Sequence, residues 1–273
     1  MENDSISETS PNWPTRWPNG SFSPGWTLGF ILLVVGVFLV ALVVVGFGAG
    51  LWLIAAHHGM DLQAATRNPA TTTSSVFVAS SVAQLLAEAL VVALIVASMP
   101  RLTRLSLRQL GFRPVDGSAL LYAIAGAACM ILIADVGSSL LDTFTHAVHP
   151  QLVERIFENL RHNLGSVAFF VAFAVVLQPI AEETIFRIFL FNLGMRYGGF
   201  WLGAIVSGAL FGAAHVAGGG ADPVSGVLLA LGGMVLCWVY YRSRNAYASM
   251  ISHGLFNAVS TAVLYFYPKL AGG

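Results

Sequence analysis

Residues 27–56 read TLGFILLVVGVFLVALVVVGFGAGLWLIAA and contain no charged side chain. About 20 consecutive apolar residues are enough to cross a bilayer, so this stretch predicts a transmembrane helix with length to spare for tilting or projecting. Six further apolar stretches follow it along the chain. Together the predicted spans are 27–56, 75–99, 118–142, 166–194, 199–217, 225–241 and 246–267.

The composition of the whole chain agrees with this pattern. Of the 273 residues, 56% are hydrophobic and only 10% are charged, whereas about a quarter of the residues in a soluble domain are charged. We therefore predict an all-α polytopic membrane protein, a bundle of seven or eight transmembrane helices plus one amphipathic surface helix. The 13 basic and 13 acidic residues give a formal net charge of zero, which argues against nucleic acid as a partner.

Two segments outside the spans have distinct compositions. Residues 1–24 are polar and rich in Pro, Ser and Asn, which predicts a disordered N-terminal tail ahead of a single transmembrane domain over residues 25–273. The stretch 145–164 has Leu152, Ile156 and Leu160 at helical spacing among charged residues. That spacing predicts an amphipathic helix near a membrane surface.

The arginines give an orientation. The loop over residues 101–114, RLTRLSLRQLGFRP, is the densest basic cluster of the chain, and placing it in the cytoplasm puts eight basic residues inside and four outside. The excess of basic residues on the cytoplasmic side predicts a cytoplasmic N-terminus. The Arg-over-Lys, Ala/Gly/Val-rich composition is typical of a prokaryote, so we predict a multi-pass protein of a prokaryotic plasma membrane.

Ionisable groups at membrane depth are costly and mark function. Here they concentrate in three predicted spans: the fourth has Glu182, Glu183 and Arg187, the fifth has His215, and the seventh has His253 with Asn257. The rise of 1.5 Å per residue allows all three groups to meet near mid-membrane.

The spacing within the fourth span separates the two carboxylates. Glu183 and Arg187 are four residues apart and share a helix face, which predicts an ion pair. Glu182 is rotated by about 100° from Glu183 and is therefore left without a local partner, which suits a general base. Pro179 removes the backbone hydrogen bond to Val175 and predicts a kinked, loosened helix close to the carboxylates.

The other two spans repeat the four-residue spacing. Phe211 and His215 share a face, so the phenyl ring can pack on the imidazole. His253 and Asn257 also share a face and present hydrogen-bond donors in one direction, an arrangement that suits an oxyanion. Gln84 and Glu88 share a face of the second span, where structural hydrogen bonding is the simplest interpretation.

These residues resemble the motifs of the CAAX prenyl protease type II and bacteriocin-processing family, called CPBP or ABI. EExxxR is matched by residues 182–187, FxxxH by residues 211–215, and a histidine followed four residues later by asparagine by residues 253–257. The resemblance covers about residues 165–260. Many relatives have Gly directly after the motif arginine, where this chain has Ile188.

The resemblance implies intramembrane hydrolysis of a peptide bond in a peptide or membrane-protein substrate, without a cofactor. In the family's mechanism, the residues matching Glu182 and His215 activate water, and those matching His253 and Asn257 hold the oxyanion. The residues matching the remaining motif positions brace the site; they are Glu183, Arg187 and Phe211. A zinc-dependent version is an alternative, with Glu182, His215 and His253 as ligands.

Alternatives from other classes remain open at this point. The chain has no GxSG, GxGD or HExxH motif, which disfavours the serine, aspartyl and site-2 types of intramembrane protease. A non-catalytic immunity or regulatory protein of the same fold is a second hypothesis. A transporter with a proton path through Glu88, Asp135 and Glu182 is a third, although we find no internal repeat. Neither the natural substrate, its prenylation nor the oligomeric state follows from the sequence.

Overall fold

A computed structural model describes residues 24–56, 58–68, 71–145, 152–218 and 221–266. The predicted polar tail lies outside these residues except for Pro24, where the first helix begins. The helices that precede the motifs are α1 Pro24–Ala55, α2 Gly59–Arg67, α3 Ser74–Thr103, α4 Gly117–Thr145 and α5 Leu152–Leu160.

The motif-bearing helices follow α5. One continuous helical stretch consists of α6 Leu164–Val171, a π-helical segment π1 Ala172–Leu177, α7 Gln178–Glu183, a second π-helical segment π2 Thr184–Phe191, and α8 Asn192–Ala217. It is followed by α9 Pro223–Ser243 and α10 Ala246–Phe266. The EExxxR motif thus lies on α7 and π2, FxxxH lies on α8, and the third motif lies on α10.

The helices confirm an all-α polytopic membrane protein. Among the described residues, five stretches are long and apolar enough to cross a membrane: Thr27–Ala55, Ser74–Thr103, Gly117–Ser138, Leu164–Ala217 and Pro223–Ser243. The fourth has 54 residues, far more than one crossing needs, and it bends back on itself within α8. Helix α10 is not among these five stretches, and the predicted span 246–267 coincides with it over the described residues. The other six predicted spans also lie on helical segments.

The reversal within α8 occurs at two glycines. Gly199 has φ +67°, a left-handed conformation that costs a residue with a Cβ but not glycine. On either side the two arms are in close contact, because a Cβ on Gly194 would lie 2.6 Å from Gly203 Cα. The Ser207 hydroxyl of the second arm donates to the Phe186 carbonyl of π2 at 2.8 Å. The helix that carries His215 therefore runs back alongside the helix that carries the glutamates.

Small residues also bring α8 against α9. A Cβ on Gly208 would lie 2.6 Å from the Ala230 carbonyl oxygen, and one on Gly233 would lie 3.0 Å from Gly208 Cα. Close approach of this kind through glycines is how membrane helices pack without a hydrophobic driving force. Asp222 caps α9 by accepting hydrogen bonds from the backbone N–H groups of Val224 and Ser225 at 2.8 and 3.0 Å.

The predicted amphipathic stretch contains α5, but its buried face differs from the expected one. Phe157 and Leu160 are fully buried, and the Phe157 ring packs on Phe170 with centroids 5.0 Å apart. Ile156 is only partly buried, and the side chain of Leu152 lies outside the described residues. The sequence analysis missed Phe157, which follows Ile156 and is not among the predicted apolar positions. The position of α5 at a membrane surface stays a prediction.

Candidate active site

The helix around Pro179 is widened rather than sharply kinked. The Gln178 N–H bonds to the Phe173 carbonyl five residues back, the pattern of a π-helix. If this pattern continued, residue 179 would donate to the Ala174 carbonyl, but proline has no N–H. The expected loosening beside the carboxylates thus takes the form of two π-helical segments, one on each side of α7.

Helix α10 packs against the two carbonyls to which Pro179 cannot donate, those of Ala174 and Val175. Asn257 Nδ2 donates to the Ala174 carbonyl oxygen at 2.7 Å. The Val175 carbonyl, which would bond to residue 179 in a regular α-helix, faces Gly254, where a Cβ would lie 2.5 Å away. The proline and the His-Gly-Leu-Phe-Asn motif therefore fit each other. Pro179 cannot donate to these carbonyls, whereas the motif supplies the Asn257 donor and, at Gly254, the space for the second carbonyl.

We expect Gly254→Ala to destabilise the protein by about 1–3 kcal/mol, since the added methyl group overlaps a backbone oxygen that cannot rotate away. Thermal unfolding in detergent micelles measures the effect. The matched control is Gly46→Ala in α1, where an added Cβ meets nothing within 4 Å. Equal melting temperatures for Gly254→Ala and the control would show that α10 and π1 do not pack as described.

The predicted Glu183–Arg187 ion pair is confirmed and fully buried. Arg187 Nε lies 3.1 Å from Glu183 Oε2, and both side chains have no exposed surface. Arg187 Nη2 also donates to the Gly233 carbonyl of α9 at 3.1 Å, and its guanidinium carbon lies 4.9 Å from the centre of the Phe211 ring. The arginine therefore joins π2 to both α8 and α9. Ile188, at the departure from the family pattern, is fully buried in the core.

His253 lies between the two adjacent carboxylates. Its Nδ1 is 3.0 Å from Glu183 Oε1, and its Nε2 is 3.7 Å from Glu182 Oε2. Because Glu183 accepts at Nδ1, that nitrogen carries a proton, and Nε2 is the nitrogen directed to Glu182. The imidazole is 7% exposed and Glu182 is 12% exposed, so this contact lies within the protein.

His215 and His253 both pack against the ring of Phe211. His215 Nδ1 is 2.8 Å from the Phe211 carbonyl oxygen, so Nδ1 donates and Nε2 keeps its lone pair. The predicted packing of the two rings is confirmed, with centroids 4.5 Å apart. Phe211 also lies 5.7 Å from the His253 ring. Phe211 thus contacts the ring of each motif histidine.

Glu182 has a local partner that sequence reasoning missed. Gln178, four residues earlier, donates from Nε2 to Glu182 Oε1 at 2.9 Å, and the same Nε2 donates to Glu88 Oε1 on α3 at 3.0 Å. The i, i+4 spacing of Gln178 and Glu182 was a signal that could have found the first contact. The second, between residues 90 positions apart, has no signal in the sequence.

The sequence analysis also missed two polar residues, on α8 and α9, that contact the end of π2. Asn192 Nδ2 donates to the Ile188 carbonyl at 3.0 Å and to the Tyr240 hydroxyl at 2.9 Å. Tyr240 donates in turn to the Leu110 carbonyl at 2.8 Å. These hydrogen bonds join π2 to α9 and to the 104–116 loop, and they stabilise the C-terminal end of the π-helical segment.

The residues do not fit the zinc alternative as they are placed. Across the described ranges, no three His, Cys, Asp or Glu side chains come together in a way that could hold a metal ion. The Nδ1 atoms of His253 and His215 are bound to Glu183 and to the Phe211 carbonyl, so only the Nε2 atoms of these rings could bind a metal ion. The side chain of Asp135, a member of the hypothetical proton path, lies outside the described residues.

Comparison with known proteins gives one family match, over the motif-bearing helices. Residues 164–259 match the sequence profile of the family described as "Type II CAAX prenyl endopeptidase Rce1-like". The match begins at the start of α6 and ends within α10, so it includes the three motifs and both π-helical segments. Comparisons with curated proteins and with solved structures gave no significant match. Residues 164–259 are therefore similar to the Rce1-like type II CAAX prenyl endopeptidase domain, which is consistent with a CPBP-family intramembrane protease.

Proposed function

We propose that this protein is an intramembrane endopeptidase in which Glu182 and His215 activate a water molecule, and His253 and Asn257 stabilise the oxyanion. The family assignment supports a CAAX-type protease in general. The single observation that carries the finer proposal is the position of His253, with one ring nitrogen on Glu183 and the other directed to Glu182.

The contacts of His253 favour an N–H on each ring nitrogen, because Nδ1 and Nε2 both face carboxylate oxygens. Glu182, Glu183 and Arg187 together carry one net negative charge when all three are ionised. A protonated imidazole between the carboxylates brings the group to neutrality, which reduces the cost of placing it among apolar helices. His253 then carries an N–H at Nε2, while its Nδ1–H remains bound to Glu183. The Nε2–H can donate to the negative charge that develops on the substrate oxygen.

His215 has the complementary protonation state. Its Nδ1–H is held by the Phe211 carbonyl, so Nε2 accepts a hydrogen bond from water and orients it. Asn257 uses one N–H of its amide on Ala174, and the second N–H of the same nitrogen is the proposed oxyanion donor. Glu183 and Arg187 fix the imidazole of His253, and Phe211 packs on both histidine rings.

The reaction balances with these groups alone. The water oxygen forms a bond to the carbonyl carbon of the scissile peptide while Glu182 accepts a water proton. The carbonyl electron pair moves to oxygen, where His253 and Asn257 donate to it. When the tetrahedral intermediate collapses, the C–N bond breaks and Glu182 returns its proton to the leaving nitrogen. The proposed substrate is a peptide or a membrane-protein segment that reaches the site from the bilayer.

His215→Ala tests the water-activating role. We expect cleavage of a fluorogenic peptide by proteoliposomes to fall by about 10²–10⁴-fold, because a positioned acid–base group contributes a factor of this size. The control is His162→Ala, since His162 lies exposed after α5. Full activity in His215→Ala would contradict the assignment, and complete inactivation of the wild type by a chelator would favour the zinc-dependent alternative.

A further inference from the structure

Glu88 is a buried carboxyl group outside the family motifs. It lies on α3 with 5% of its surface exposed. Its Oε1 accepts two hydrogen bonds, from Gln84 Nε2 and from Gln178 Nε2, both at 3.0 Å. Gln178 Nε2 donates at the same time to Glu182 Oε1. One amide nitrogen therefore joins two carboxyl groups, one on α3 and one on α7.

The remaining oxygens of Glu88 and Gln178 are the unusual feature. Glu88 Oε2 and Gln178 Oε1 are both buried, and neither has a hydrogen-bond partner among the described residues. Buried polar atoms are rarely left without partners. If Glu88 is ionised, both oxygens are acceptors and neither can satisfy the other. A proton on Glu88 Oε2 makes one of them a donor, as the second hydrogen bond between a carboxylic acid and a primary amide requires.

The charged groups around α3 favour the neutral acid. Helices α1 and α6, which pack on α3, contain no Asp, Glu, Lys or Arg. Helix α2 contributes only Asp61 and Arg67, which lie near the start of α3. From α7 and π2, Glu182 and Glu183 are acidic, and Arg187 is already bound to Glu183 and Gly233. A second negative charge joined to Glu182 through one amide has no cation to offset it.

We propose that Glu88 is a neutral carboxylic acid that pairs with Gln178 and, through it, fixes the orientation of Glu182. In this arrangement both hydrogens of Gln178 Nε2 are committed, one to each carboxyl group, so the amide cannot rotate. Glu182 is then held with Oε1 on Gln178 and Oε2 directed to His253. Glu88 and Gln178 are positioning residues. The protonation of Glu88 stands on the contacts alone, whereas its effect on catalysis rests on the proposed function.

Infrared spectroscopy tests the protonation without reference to activity. A protonated carboxyl group has a carbonyl band separate from that of a carboxylate. We expect this band in the wild-type protein at neutral pH, its loss in Glu88→Gln, and its persistence in the matched variant Glu182→Gln. Absence of the band from the wild type, or its loss in Glu182→Gln instead, would overturn the proposal even if the protein proved to have no protease activity.

Kinetics of the same positions test the positioning role. Glutamine has the shape of a neutral glutamic acid and supplies one donor and one acceptor, so Glu88→Gln should keep kcat within about threefold of the wild type. Glu88→Leu removes the partner of Gln178 and should lower kcat by about 10²-fold, the scale expected for a misplaced catalytic group. Equal losses in Glu88→Gln and Glu88→Leu, or full kcat in Glu88→Leu, would overturn it.

Discussion

Glu182→Gln is expected to lower peptide cleavage by about 10²–10⁴-fold, because the amide keeps the shape of the side chain but cannot accept a proton. The fold should survive, since the glutamine oxygen can still accept the hydrogen bond that Gln178 gives to Oε1. The measurement is the initial rate of cleavage of a fluorogenic peptide by purified protein in proteoliposomes, with the melting temperature recorded alongside.

The control for this change is Glu158→Gln, because Glu158 lies exposed on α5 and pairs only with Arg161 among the described residues. It should leave the rate unchanged. Wild-type cleavage by Glu182→Gln would eliminate Glu182 as the base. A wild-type protein that cleaves nothing, together with a Glu182→Gln variant that still complements a deletion strain, would favour the non-catalytic regulatory protein instead.

Arg187→Met is expected to destabilise the protein by about 3–5 kcal/mol, because it leaves the group of Glu182, Glu183 and His253 with one uncompensated negative charge. The hydrogen bond to the Gly233 carbonyl and the contact with the Phe211 ring are lost as well. Denaturant unfolding in detergent micelles measures this loss. The double variant Glu183→Gln/Arg187→Met removes both charges and should recover part of it.

Arg161→Met is the comparison for a partly exposed pair. Arg161 Nη1 lies 3.2 Å from Glu158 Oε2, with side chains 24% and 49% exposed, and exposed pairs of this kind contribute about 0.2–1 kcal/mol. A loss in Arg187→Met no larger than that in Arg161→Met would show that the pair is hydrated rather than buried. If Glu183→Gln/Arg187→Met lost as much stability as Glu183→Gln and Arg187→Met combined, the Glu183–Arg187 pair would likewise be shown to be hydrated.

The parts of the site that could be predicted are those with a local signal. Four-residue spacing on one helix face predicted the Glu183–Arg187 pair, the packing of Phe211 on His215 and the common face of Gln84 and Glu88. The same spacing relates Gln178 to Glu182, but Gln178 is an uncharged amide and was not predicted as a partner. Pro179 correctly indicated a disturbed helix, but a missing N–H does not by itself determine whether the helix kinks or widens.

The contacts between helices could not be predicted in this way. His253 lies 70 positions from Glu183 in the chain, and the choice of which carboxylate meets which ring nitrogen depends on the rotation of α10 against α7. The same holds for Gln178 with Glu88. The zinc alternative depended on such geometry too, since the residue types alone were compatible with three ligands.

The sequence alone determined that this is a polytopic helical membrane protein and which few polar residues lie within its apolar helices. It could do so because helix periodicity and the cost of burying charge act over a few residues along one chain. Only the tertiary structure decided that α10 approaches π1 at Gly254 and that the second arm of α8 approaches π2 at Gly203. It also decided that His253 lies between Glu182 and Glu183. Hydrogen bonds between helices depend on their relative rotation and separation, which packing of the whole bundle sets.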